Sequence, residues 1–227
     1  MSPELTTAQI VATRQSLQMI AEHLMSADLH RHTGRIGLRQ TPGGLGTPTF
    51  IVDGVTRQLR VTNAGLIVRH GDDRTTHAVT SVGQLADDAA ITPGAPTEVY
   101  SPTTECDLDA PLVFDPAAVD HLARFLQIGA EALARFATIH SDEEPTAAQL
   151  WPEHFDLALA MNEVNYGACL GDAALELPYF YVAPWAAPTG EFWTETWGAA
   201  LTWDTTAPAD DAFAYFDLGR ATASPSA

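Results

Sequence analysis

Glu153, His154 and Asp156 stand together in the run Leu150-Trp151-Pro152-Glu153-His154-Phe155-Asp156-Leu157-Ala158-Leu159-Ala160-Met161. A histidine beside carboxylates suits general acid–base work or coordination of a divalent metal. From Phe155 the pattern has a period of two. Phe155, Leu157, Leu159 and Met161 fall on one face of a strand, and His154, Asp156, Ala158 and Ala160 on the other. A reversal near Asn162 would set Asp156 opposite residues 168–169 and bring His154 near Gly171-Asp172. One strand end would then gather Glu153, His154, Asp156, Cys169 and Asp172. Glu153, His154, Asp156 and Asp172 are the candidate catalytic groups. The competing reading of His154 is structural, as a cap or a hydrogen-bonding residue within the sheet.

Two further groups of residues carry chemistry. His30-Arg31-His32 is a His-x-His pair which, on an extended segment, would put both imidazoles on one side. Joined to His154 and Asp156 it would make a divalent-metal site of three imidazoles and one carboxylate. The second group is aromatic: Tyr179, Tyr181, Trp185, Phe192, Trp193, Trp197 and Trp203 crowd the last quarter of the chain. Such rings pack sheet cores, and they also line pockets for small organic ligands. Tyr179, Tyr181, Trp185 and Trp193 are the candidate ligand-binding residues.

The elements that must position these groups can be read in order. Ile10, Leu17, Ile20 and Leu24 recur at helical spacing over residues 3–26, with Thr6 or Thr7 as cap. His23 lies on that helix as a packing or surface residue, and the chain leaves the helix at Leu29–Arg35. Residues 35–39 alternate like a half-exposed strand. Thr41-Pro42-Gly43-Gly44-Leu45-Gly46 is rich in turn residues. Strand-like Phe50-Ile51-Val52 follows it, which favours a hairpin over a phosphate-binding loop. A meander is expected over 56–79, with strands at Arg57–Val61, Gly65–Arg69 and Thr75–Val79, and then a short helix capped by Ser81. Residues 92–116 are rich in Pro and Asp. Asp115 caps, and Pro116 opens, a second long helix over 116–139, whose stripe is Val119, Leu122, Leu126, Leu133 and Phe136. A strand is expected from Phe155 to Met161, its hairpin partner within 163–172, a third strand over 177–183 and a fourth from Phe192-Trp193 and 197–203, then a short helix from Ala209 to Leu218 and a frayed tail.

The expected fold is therefore α+β: antiparallel sheets in an N-terminal and a C-terminal lobe, with two long amphipathic helices packed on them. The lobes are residues 1–95 and 96–227, read as parts of one compact unit.

Composition narrows the chemistry. The chain of 227 residues has no lysine, and all 11 basic residues are arginine. A Schiff base, a pyridoxal-phosphate anchor and a P-loop lysine all require a lysine this chain does not contain. Its net charge of −18 is uneven. Residues 1–80 carry eight Arg and six acids, for +2, and residues 81–227 carry three Arg and 23 acids, for −20. The acidic part should repel nucleic acid and anionic membranes and could dock a basic protein. With two cysteines and no CxxC, a four-cysteine zinc site is excluded. No run of about 18 apolar residues marks a membrane span, no secretory leader is evident, and a cytoplasmic location is expected. No Gly-x-Ser-x-Gly, GxGxxG before a helix, or HExxH occurs.

Gly34-Arg35-Ile36-Gly37-Leu38-Arg39, Leu150–Ala158, Val164-Asn165-Tyr166-Gly167, Gly171-Asp172 and Pro178-Tyr179-Phe180-Tyr181-Val182 resemble blocks of a family of uncharacterised actinobacterial proteins, a domain of unknown function. The resemblance covers most of the chain. It implies a bacterial, cytoplasmic protein and assigns no catalytic residue. Three functions stay open: a small-molecule-binding protein with an aromatic pocket, an enzyme centred on His154 and Asp156 with or without a divalent metal, and an acidic interaction module.

Overall fold

A computed structural model describes residues 5–206 and 208–223. The fold is α+β, with two antiparallel sheets. The chain separates into two compact units. The first is residues 1–124 with 150–155, and the second is residues 125–149 with 156–227. The division falls inside the second long helix, not at residue 95. Among the described residues, no helix is long and apolar enough to cross a membrane.

In the first unit, α1 (Thr7–Ile20) starts from a capping box. The Thr6 hydroxyl accepts from the Gln9 N–H, and the Gln9 side chain reaches back to the cap. The helix does not stop where expected. It widens into a π-helical segment, Ala21–Ser26, and runs on as α2 (Ala27–Thr33), ending at Gly34 in the left-handed region (φ 71°). His30 and His32 therefore lie on a helix, not on an extended segment. Ile10, Leu17, Ile20 and Leu24 are all buried, as their spacing predicts.

The first sheet has the order β1-β2-β4-β5-β6, with β3 also paired to β4. Its strands are β1 (Arg39–Thr41), β2 (Gly44–Gly46), β3 (Phe50–Val52), β4 (Val55–Thr62), β5 (Gly65–His70) and β6 (Asp73–His77). Of the expected strand at 35–39, Leu38 forms an isolated bridge, its N–H and C=O exchanging hydrogen bonds of 2.8 and 2.9 Å with Leu150, and Arg39 opens β1. The glycine-rich loop is a hairpin. A Cβ on Gly44 would come within 1.9 Å of the Val61 carbonyl oxygen, and one on Gly46 within 2.4 Å of that of Leu59. These glycines serve close strand packing. Ser81 caps α3 (Val82–Ala89) by accepting from the Gln84 N–H.

The Pro- and Asp-rich segment has no strand beyond isolated bridging, and the polar side of the first helix holds it in place. Ser16 Oγ accepts from the Val113 N–H (2.8 Å), and Thr13 Oγ1 from the Asp115 N–H (3.3 Å). Thr13, Ser16 and Glu22 are buried for that reason. Periodicity alone reads such residues as a solvent face, because it records polarity and not the backbone N–H groups that polarity can satisfy.

Helix α4 (Pro116–Ile139) buries Val119, Leu122, Leu126, Leu133 and Phe136 as expected. The second sheet has the order β11-β10-β9-β8-β7. Its strands are β7 (Gln149–Trp151), β8 (Asp156–Met161), β9 (Val164–Cys169), β10 (Tyr179–Pro184) and β11 (Ala199–Thr202). Phe192 and Trp193, expected as part of the last strand, lie outside it. Helix α5 (Ala209–Ala223) runs past Leu218 into what reads as tail, and residues 224–227 lie outside the described residues. Phe125, Phe136 and Phe216 are fully buried in the second unit. Phe136 meets Tyr166 at 4.6 Å between centroids, and Phe125 meets Phe180 at 4.9 Å.

Candidate functional site

The β8–β9 hairpin sets the geometry. Asn162 and Glu163 both have positive φ (51° and 61°), the requirement of a tight two-residue hairpin turn. The register that follows pairs Asp156 with Cys169, within the residues 168–169 expected opposite it, and Ala158 with Gly167. On the next strand, Tyr179 pairs with Cys169 and Tyr181 with Gly167. Directly paired residues share a sheet face. One face thus carries Asp156, Cys169, Tyr179 and Tyr181, and the other carries Leu157, Leu159, Tyr166, Ala168, Phe180 and Val182, all buried.

On the polar face each tyrosine is tied to a carboxylate. The Tyr181 hydroxyl donates to Asp156 Oδ2, and the Tyr179 hydroxyl donates to Asp172 Oδ2 at 2.7 Å. Asp172 Oδ1 accepts from the N–H groups of Ala174 (2.7 Å) and Leu175 (2.8 Å), so this residue also closes the loop after β9. Gly167 makes the arrangement possible. A Cβ there would sit 2.4 to 2.7 Å from the Tyr181 ring and hydroxyl, so the ring lies directly over bare backbone.

Burial, then the Asp156 charge and its hydrogen bond, push the Tyr181 phenol well above its ordinary value. Burial, then Cys169 and Asp172, do the same to Tyr179. Both hydroxyls therefore stay protonated donors. Burial pushes the Cys169 thiol up to about 12, partly countered by its hydrogen bond with Tyr179. A thiol held protonated is a poor nucleophile.

A third ring completes the face. The tight turn between Glu195 and Gly198, closed by a 2.9 Å hydrogen bond from the Glu195 N–H to the Gly198 carbonyl, presents Trp197. Its centroid lies 6.4 Å from that of Tyr179 and 6.1 Å from that of Tyr181. The two tyrosines are 6.3 Å apart. Trp197 belongs to the late aromatic group, but its spacing carries no sign that it, and not Trp185 or Trp193, joins the tyrosines. Only the turn decides that.

Glu153 and His154 fall in the first unit, Asp156 and Asp172 in the second. His154 is exposed on the turn before β8, and Phe155 is in the left-handed region (φ 51°). Phe155 thus belongs to the turn, and the period of two begins at Asp156, the first residue of β8. Glu153 acts through its carbonyl, which accepts from Gln18 Nε2 (3.2 Å) and from the Thr103 hydroxyl (2.7 Å).

The metal set of His30, His32, His154 and Asp156 is also corrected. Among the described residues no three His, Cys, Asp or Glu gather to hold a metal ion. Residues two apart on a helix project about 200° from one another. His30 Nδ1 accordingly meets Glu98 (3.4 Å), while His32 Nε2 meets Asp28 (3.6 Å). The four expected pocket aromatics separate too. Trp193 packs on Phe192 at 4.9 Å, and Phe192 on Tyr215 at 5.4 Å. Trp185 is 66 % exposed and donates its indole N–H to Asn165 Oδ1 at 3.2 Å.

The π-helical segment builds a second polar cluster that periodicity does not reveal. Glu22 is fully buried. Its two oxygens accept from the N–H groups of Thr103 (2.7 Å) and Thr104 (2.9 Å) and from the Thr104 hydroxyl. His23 Nδ1 accepts from the Ala95 N–H (3.2 Å), which leaves Nε2 as the protonated nitrogen, donating to Thr104 (3.0 Å to its carbonyl, 3.1 Å to its hydroxyl). Every one of these bonds fastens segment 92–116 to the helix, so the cluster is a fastening.

No protein-family model, curated protein or solved structure matches the chain. Fold and site together define an α+β protein whose second sheet carries a tyrosine–carboxylate face capped by a tryptophan.

Proposed function

We propose that the protein binds a small organic molecule on the face formed by Tyr179, Tyr181 and Trp197. The observation that supports this reading is the mutual approach of the three rings, with both phenols fixed by carboxylates and Trp197 38 % exposed beside them. Ligand sites combine apolar rings with a few fixed polar groups, and rings whose rotamers are already locked lose little freedom when a ligand arrives. A thermal-shift screen of common metabolites tests it. The expected result is a stabilising compound whose effect disappears in Trp197→Ala and persists in Trp193→Ala. A stabiliser that is indifferent to Trp197 would move the site elsewhere.

A second reading rests on the Tyr181–Asp156 pair. A phenol that stays protonated beside a carboxylate is a fixed donor, the part needed to stabilise developing negative charge on a substrate oxygen. Turnover that fails in Tyr181→Phe while binding persists would favour this enzyme reading over binding alone.

A further inference from the structure

We infer that the ligand of the Tyr179–Tyr181–Trp197 face is a compact organic cation with no N–H donors, a quaternary ammonium head group. This rests on the proposed binding role of that face. The three centroid separations, 6.3, 6.4 and 6.1 Å, form a nearly equilateral triangle, and the interplanar angles of 54°, 45° and 82° leave no pair of rings stacked face to face. The three rings thus lie close enough together for one cation to meet more than one of them. A cation is drawn to aromatic faces within about 6 Å of the centroid, and sets of rings are the usual receptors for quaternary ammonium groups.

The charge of the second unit points the same way. The second unit carries 14 acidic residues and only two arginines, Arg135 and Arg220. Arg135 is engaged by Asp210 and the Phe213 ring, and Arg220 by Glu143 at 2.8 Å. An anionic ligand would meet a repulsive field, and a cation an attractive one. Both tyrosine hydroxyls donate to carboxylates, which enriches their rings in electron density and strengthens their hold on a cation.

The choice among cations follows from the acceptors. A primary ammonium needs acceptors for three N–H bonds. Here Asp156 is buried at 4 % exposure, and Asp172 already receives Tyr179, Ala174 and Leu175, so neither carboxylate is presented at the surface to an ammonium's N–H groups. A quaternary head makes no such demand.

The test compares choline with 3,3-dimethyl-1-butanol, its uncharged counterpart of equal shape, by calorimetric titration of the full chain. Saturable choline binding is expected, at least about tenfold tighter than the alcohol. It should be lost in Trp197→Ala, kept in Trp185→Ala, and weakened by salt. Trp197 lies at the surface, so its removal leaves the sheet intact, and circular dichroism of the variant checks this. Equal binding of the two compounds through Trp197 overturns the cation inference and leaves the pocket standing. Choline binding that survives Trp197→Ala also overturns it. If neither compound binds and the metabolite screen yields only Trp197-dependent ligands that are neutral or anionic, the inference fails alone. If the screen yields no Trp197-dependent ligand at all, both readings fail.

Discussion

Glu22→Ala should destabilise the first unit by on the order of 4 kcal/mol, because it removes the acceptor of three charge-assisted hydrogen bonds at a fully buried position. The N–H groups of Thr103 and Thr104 would be left without their acceptor, and the Thr104 hydroxyl, which also meets His23, would lose its anchor. Glu22→Gln should cost roughly half as much, since an amide offers one acceptor oxygen and turns an NH₂ group toward a donor. Urea denaturation gives the size of the effect, and limited thermolysin digestion gives its place. Cleavage should rise within residues 92–116 before it rises elsewhere. A loss below about 1 kcal/mol, or digestion that begins in the β4–β5 meander, would show that the segment is held by other means.

Arg57→Met is expected to cost about 3 to 5 kcal/mol, the range for breaking a buried ion pair from one side. Arg57 and Asp28 are 8 % and 3 % exposed. Arg57 Nε donates to Asp28 Oδ2 at 2.7 Å, and its terminal nitrogen donates to the Ala89 carbonyl at 2.9 Å. One side chain on β4 thus joins α2 to the last turn of α3, where a cation also suits the helix dipole. Most of the expected loss comes from the Asp28 carboxylate left buried with its guanidinium gone. Arg57→Met combined with Asp28→Leu should therefore recover much of the stability, and chemical denaturation of the single and double variants measures it. A double variant no better than Arg57→Met alone would place the main loss at the Ala89 carbonyl instead.

How much of this was legible in the sequence depends on which physical signal each feature leaves. The Asp156–Cys169 pairing was legible, because alternation plus a tight turn at Asn162 permits few registers. The α4 stripe and its Asp115 cap were legible as well. His30 and His32 were misplaced because nothing before Gly34 marks the helix as continuing, and the π-helical segment shifts its phase between Ala21 and Ser26. Phe155 looked like the first residue of a strand face, and its left-handed backbone is invisible in an apolar side chain. Glu22, Ser16 and Thr13 leave no mark in the sequence, because their partners are backbone N–H groups of a segment far along the chain. Of the candidate site, Asp156, Asp172, Tyr179 and Tyr181 were named from the sequence, each without its partner. Trp197 joins them through a turn whose geometry carries no compositional mark.

The fastening of residues 92–116 also bears on the order in which the protein assembles. The Glu22 bonds to Thr103 and Thr104 span 81 and 82 residues of chain. The entropy of closing so long a loop must be met before those bonds can form, whereas the hairpins between β1 and β6 close locally. The fastening should accordingly be missing from the folding transition state and complete only in the native one. In a chevron analysis, Glu22→Ala would then raise the unfolding rate and leave the refolding rate nearly unchanged. A matching fall in the refolding rate would mean that the strap closes early, with the long first helix as the surface on which the rest of the unit condenses.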